Sequence, residues 1–132
     1  MTGITREQAA QAVAALFGTT ARQTRESRTY DPWEVIDNEG KKWRFVYDGS
    51  IHMTHRECRR QAAVHDSRYS VEMNSPKLEY SEMKKLQEVI RTLRHAGAVV
   101  NESCGMHVHV DASKHTPRSL RNALSIMYSK ED

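Results

Sequence analysis

Two histidines one residue apart, His107 and His109, are the side chains of this sequence best placed to do chemistry. Along a strand, successive side chains point to opposite faces. In Met106-His107-Val108-His109-Val110-Asp111, one row is Met, Val and Val, and the other is His, His and Asp. One face therefore suits a core and the other a ligand. Two imidazoles at this spacing stand about 6–7 Å apart. They can serve one metal, or one metal and one phosphate side by side. Imidazole suits transition metals, whereas Mg²⁺ takes oxygen ligands and needs carboxylates as well. Glu72 can supply such an oxygen. Gly105, directly before the pair, permits an unusual dihedral or a close ligand approach, or simply a bend into the strand.

These side chains need elements to hold them. Tyr69, Val71 and Met73 alternate with Ser70, Glu72 and Asn74, which predicts a strand over Tyr69 to Met73 ended by Asn74-Ser75-Pro76. Upstream, Trp33 to Ile36 and Lys42 to Asp48 flank Asn38-Glu39-Gly40 and predict a hairpin, with Trp33 and Trp43 as a cross-strand pair. Within it Trp43, Phe45 and Tyr47 alternate with Arg44, Val46 and Asp48. If the apolar rows share one covered face, then His107, His109, Asp111, Glu72, Asp48 and Arg44 share the other. The bland alternative is the solvated side of an antiparallel sheet. Ala98 to Val100 predicts one more short strand.

Three helices are predicted to cover the apolar face. The first runs from Arg6 to Phe17, with Thr5 and Gln8 at capping-box spacing and Gly18 as its stop. The second runs from Ser81 to Ala96, with Met83, Leu86, Ile90 and Leu93 as a core stripe and Lys84, Lys85, Arg91 and Arg94 as a solvated face. The third begins at Thr116-Pro117 and carries Leu120, Ala123, Leu124 and Met127 as its core stripe. Ile51 to Arg68 shows neither period and reads as a long basic loop. The order of elements predicts an α+β fold with a mainly antiparallel sheet and helices on one face.

Composition sets the outer limits. The 132 residues fit a single domain. The mean hydropathy of -0.75 and the lack of a long apolar run exclude a membrane span. Two cysteines, Cys58 and Cys104, cannot form a disulfide scaffold, and this points to a reducing cytoplasm. The net charge of +3 favours an anionic ligand, but scattered basic residues and few exposed aromatics argue against nucleic acid.

Three motifs, taken in order, resemble the amidoligase family of glutamine-synthetase-like carboxylate–amine ligases. Asn101-Glu102-Ser103-Cys104-Gly105-Met106-His107-Val108-His109-Val110-Asp111 resembles the family's G-x-H-V-H strand. Val71-Glu72-Met73-Asn74-Ser75-Pro76-Lys77-Leu78 is similar to its E-x-x-S-P-x-L segment, and Tyr47-Asp48-Gly49-Ser50-Ile51 to its D-x-S-I segment. The resemblance implies a partial glutamine-synthetase-like fold and ATP-dependent amide-bond formation through an acyl phosphate. Its cofactors would be ATP and Mg²⁺, and its substrates a small-molecule or peptide carboxylate and an amine. By similarity, His107 and Glu72 would bind metal, His109 and Gly105 would meet the nucleotide, and Asp48 would lie near the substrate.

The sequence departs from that pattern at its start. The family opens with a G-x-E-x-E strand, whereas Met1-Thr2-Gly3-Ile4-Thr5 leads straight into the first helix. The chain therefore reads as a partial domain, shortened at both ends. The rival expectation is a module that binds a metal or anion on the same face without turnover. Two further groups have bland readings. His52, His55, Cys58 and His65 are spaced too irregularly for zinc and read as a solvated loop, with Arg56, Arg59 and Arg60 as a phosphate-contacting lid in between. Cys104 has no base to make it a nucleophile.

Overall fold

The computed structural model describes residues 1–25, 29–57 and 60–131. Its first helix, α1 (Arg6–Phe17), starts as the sequence predicts. The Thr5 hydroxyl accepts from the Gln8 backbone, and the Gln8 side chain accepts from the Thr5 N–H. Two donors that a helix start leaves unpaired are thereby satisfied. Gly18, at φ 66°, ends the helix. Ala9, Ala10, Val13 and Ala14 are buried, and such small side chains let the helix lie close on the sheet.

That sheet has four antiparallel strands in the order β1-β2-β3-β6, where β1 is Ala21–Gln23, β2 Trp33–Ile36, β3 Lys42–Val46 and β6 Glu72–Asn74. Its apolar face holds Val35, Trp43, Phe45 and Val71, all fully buried. The register places Val35 opposite Trp43 and Trp33 opposite Phe45, so the two tryptophans are not cross-strand partners. Trp43 instead packs on Phe17 of α1, with ring centroids 5.7 Å apart, and donates to Asp37 at 3.2 Å.

The second helix, α2 (Met83–His95), follows a 3-10 turn at Tyr80–Glu82 and packs on α1. Val89 and Leu93 are its buried residues, while Ile90 is 42% exposed. Lys85 does not belong to a solvated face. Its ammonium reaches Glu39 at 2.8 Å and Asp37 at 3.3 Å, tying the helix to the β2–β3 turn. Burial opposes the charge on Asp37. Hydrogen bonds from the Lys41 backbone, Trp43, the Glu39 backbone and Lys85 outweigh it and hold the carboxyl below its usual range.

The α+β expectation holds, but four parts of it are corrected. The segment expected as a loop contains a second sheet, the hairpin of β4 (Thr54–Glu57) and β5 (Arg60–Ala63). Its strands have no apolar row, so alternation could not reveal them. Second, β1 pairs with β2 through Ala21–Gln23, a segment with no strand pattern. Third, Met106 to Asp111 is not a strand, and all six residues are exposed. A strand exists only with a hydrogen-bonded neighbour, and no described element supplies one. Fourth, α3 (Pro117–Tyr128) forms with a Thr116–Ser119 capping box but buries no residue. Leu120, Leu124 and Met127 are 45%, 66% and 69% exposed.

The extreme N-terminal residues are more ordered than their sequence suggests. Met1 exchanges two backbone hydrogen bonds with Val71, and Thr2 exchanges two with Val99. The Gly3 N–H donates to the Thr54 carbonyl, and the Thr2 hydroxyl both donates to and accepts from the Thr54 backbone. Residues 1–3 are thus a short extended row that joins the edge of β6 to Val99 and to the second sheet. A side chain at position 3 would meet the Gly97 carbonyl at 2.7 Å, so only glycine permits this approach.

Candidate functional site

Ser70 is the buried residue that sets the first corner of the site. Its hydroxyl donates to the Asp48 carbonyl at 2.5 Å and accepts from the Asp48 N–H at 3.1 Å. The end of β3 is thereby fixed to the start of β6. Arg6, 2% exposed, reinforces this corner from α1 by donating to the Ser67 and Ser70 carbonyls and to the Asp31 carboxylate.

A second clamp joins the loop after Asp48 to the segment before the histidine pair. The Asn101 amide donates to the His52 carbonyl at 2.7 Å, and the Ser103 hydroxyl accepts from the His52 N–H at 2.8 Å. The Asn101 side-chain oxygen accepts from the Ser103 N–H, the Ser103 hydroxyl and the Cys104 thiol. Cys104 thus serves here as a weak donor within the turn.

Between these clamps, the Asp48 carboxylate accepts from the Ser50 N–H and the Ser50 hydroxyl. Those two bonds hold its carboxyl below the usual range against partial burial, and the charges of the Met1 ammonium and His107 act in the same direction. His107 turns back over Gly105, where an added Cβ would stand 3.5 Å from the imidazole Nε2. His107 thus lies beside Gly105 and near enough to Asp48 to act on its charge.

The remaining expected residues are placed otherwise. Glu72 is exposed on β6 opposite Val46, and Asn74 lies opposite Arg44, so Glu72 and Arg44 do share the polar sheet face. His109 and Asp111 are exposed in a segment that is not part of that sheet, and Asp111 accepts from Ser113. The expectation of one row containing His107, His109, Asp111 and Glu72 is therefore corrected. In the loop group, Cys58 and Arg59 lie outside the described residues.

The centre of the polar face is occupied by a residue the sequence did not single out. Glu34, 1% exposed, lies opposite both Arg22 and Arg44 in register. Its oxygens stand 3.2 Å from Lys42 Nζ and from Arg44 Nε, and 3.4 Å from Arg22 Nη2. A glutamate flanked by basic residues on both neighbouring strands was the available signal. Its carboxylate is consumed by these ion pairs. A polar cavity of about 160 Å³ beside Arg6, lined by Gln23, Asp31 and Arg68, is smaller than the roughly 300 Å³ or more of typical ligand sites.

Among the described residues, no group of three or more His, Cys, Asp or Glu side chains could hold a metal ion. The donors among the described residues do not by themselves make a metal site.

A family model described as "Putative amidoligase enzyme" matches residues 1–132, the whole chain. The chain belongs to this amidoligase family. Its members are ligase-type enzymes, in agreement with the three motifs. No curated protein and no solved structure matches the chain. Among the described residues, no helix is long and apolar enough to cross a membrane.

Proposed function

We propose that this amidoligase joins a carboxylate to an amine at the expense of ATP, using the surface around Asp48, Gly105 and His107. The observation that carries the reading is the double clamp. Ser70 fixes Asp48, and Asn101 with Ser103 fixes His52, so three segments remote in sequence meet at one place. A site must be held by its surroundings if its groups are to be preorganised, and these clamps supply such a hold.

In this reading the γ-phosphoryl group of ATP passes to the carboxylate oxygen, giving ADP and an acyl phosphate. The amine then attacks the acyl carbon and expels phosphate. ATP enters as its magnesium complex, so Mg²⁺ arrives with the substrate. His107, His109 and the Gly105 backbone would face the phosphates, where donors aimed at developing charge lower the barrier. Glu72 would contact the magnesium shell, and Asp48 would orient the incoming amine. A non-catalytic module that binds a metal or an anion on the same sheet face is the alternative.

Calorimetric titration with ATP and Mg²⁺, beside the His107→Ala/His109→Ala variant, tests the site. Binding that vanishes in the double variant is expected. ADP release that needs both a carboxylate and an amine establishes turnover. Binding without ADP release selects the module, and no binding by the folded chain sinks both readings.

A further inference from the structure

The polar face of the four-stranded sheet carries its charges unevenly. Register places Arg22, Glu34, Arg44 and Asn74 in one line across all four strands. Lys42 stands two residues from Arg44 on the same row of β3. Arg22, Lys42 and Arg44 all reach the buried Glu34, and Lys42 and Arg44 share one of its oxygens. The other end of the face is acidic, where Val46 meets Glu72 and β3 runs on to Asp48.

Stability alone does not call for this arrangement. A buried carboxylate is costly unless it is paired, but one cation neutralises Glu34. The second and third are drawn close to the first, where like charges repel. Strands β1, β2 and β3 thus hold three cations against one carboxylate on this row. Every one of these contacts is made within three paired strands, so none depends on what else packs on the sheet.

We propose that this row receives the anionic stretch of an acidic peptide whose reacting carboxylate lies at the Asp48 end. This names a substrate class for the ligase reading and rests on that reading. Clusters of basic side chains recognise acidic motifs in this way. Glu34 positions the cluster by holding all three cations at one point. Spacing favours a peptide over a small dicarboxylate. Arg44 lies four residues before Asp48, about 13 Å of extended chain, and Arg22 stands two strands away, about 10 Å across the sheet. An extended peptide advances about 3.4 Å per residue, so about four residues cover the distance. A small dicarboxylate is too short. Glu72 and Asp48 repel an anionic tail from their own end, which sets the direction in which the peptide lies.

The test uses the full chain without nucleotide and reads the fluorescence anisotropy of a labelled tetraglutamate peptide. Tetraglutamate is expected to bind, with an affinity that falls as salt rises, and a tetraglutamine peptide is not. Arg22→Gln removes a cation whose side chain is 67% exposed, so circular dichroism should show the fold unchanged. It is expected to weaken binding about three- to fivefold. Glu34→Gln removes the carboxylate that competes with the peptide, and is expected to strengthen binding by a similar factor. A purely structural Glu34 would give the opposite sign. If Glu34→Gln does not fold, Arg22→Gln decides alone. Equal binding of both peptides, no binding of tetraglutamate, or an affinity unmoved by Arg22→Gln overturns the proposal. So does weaker binding by a folded Glu34→Gln chain. Displacement of the peptide by inorganic phosphate at equal charge would mark a phosphate site and overturn it as well. ADP release is read in a separate assay, so peptide binding without turnover sinks the ligase reading and leaves the recognition of an acidic peptide standing.

Discussion

The helices α1 and α3 each have 12 residues and each begin with a threonine in a capping box, yet only α1 has a core beneath it. Five residues of α1 are buried and none of α3, although α3 carries the more regular stripe of large apolar side chains. Caps and periodicity tell the backbone where to coil, but burial depends on a surface to coil against. The sheet β1-β2-β3-β6 offers α1 that surface, and among the described residues nothing offers one to α3.

The contrast is broken most severely at the core under α1. Trp43→Ala removes a fully buried indole together with its contacts to Phe17 and Asp37. A loss of about 3–5 kcal/mol is expected in urea unfolding. A loss below 1 kcal/mol would mean that the sheet is not the folding unit. Next in size is Arg6→Met, which strips donors from Asp31, Ser67 and Ser70. It is expected to cost about 2–4 kcal/mol and to weaken nucleotide binding as well, because Ser70 holds Asp48. Thermal unfolding and calorimetry on the same sample check both effects.

Smaller effects sharpen the comparison. Backbone amides of α3 are expected to exchange with solvent far faster than those of α1, and hydrogen exchange would reveal it. Equal protection would mean that α3 is covered in solution. Asn101→Ala is expected to cost about 1–2 kcal/mol and to lower nucleotide affinity, since the His52 clamp is lost.

The smallest effect concerns pH. Asp48 has a folded pKa below its usual 3.8, so it contributes stability at neutral pH. That contribution is lost as pH falls below 3.8 and through the folded value. Ser50→Ala removes one of its hydrogen bonds and is expected to flatten this acid limb. Urea midpoints at pH 6, 4 and 3 would show it.

The parts of the molecule legible in the sequence are those whose pattern arises from burial. The β2–β3 hairpin and α1 could be read because Trp43, Phe45, Val13 and the caps around them record one-sided packing. The strands β1, β4 and β5 could not, because Ala21–Gln23, Thr54–Glu57 and Arg60–Ala63 are held by backbone pairing that leaves no mark on side-chain type. The segment Met106 to Asp111 failed in the opposite sense. Its alternation is that of a strand, but periodicity carries no information on whether a neighbour is present. Around the candidate site, Asp48, Gly105 and His107 could be named as candidates from their motifs. Asn101 and Ser70 were not, since they act through main-chain groups of other residues, and Glu34 was hidden because its partners lie on different strands.

The row formed by residues 1–3 has a consequence in time. Its partners are Thr54, Val71 and Val99, so each bond closes a loop of about fifty residues or more. Closing such loops carries a large entropic cost that only later contacts repay. During synthesis Met1, Thr2 and Gly3 emerge before all of their partners, and their row cannot be completed until Val99 has emerged. The opening residues of this chain are among the last to settle, and the seam they make between the two sheets closes only when both are already built.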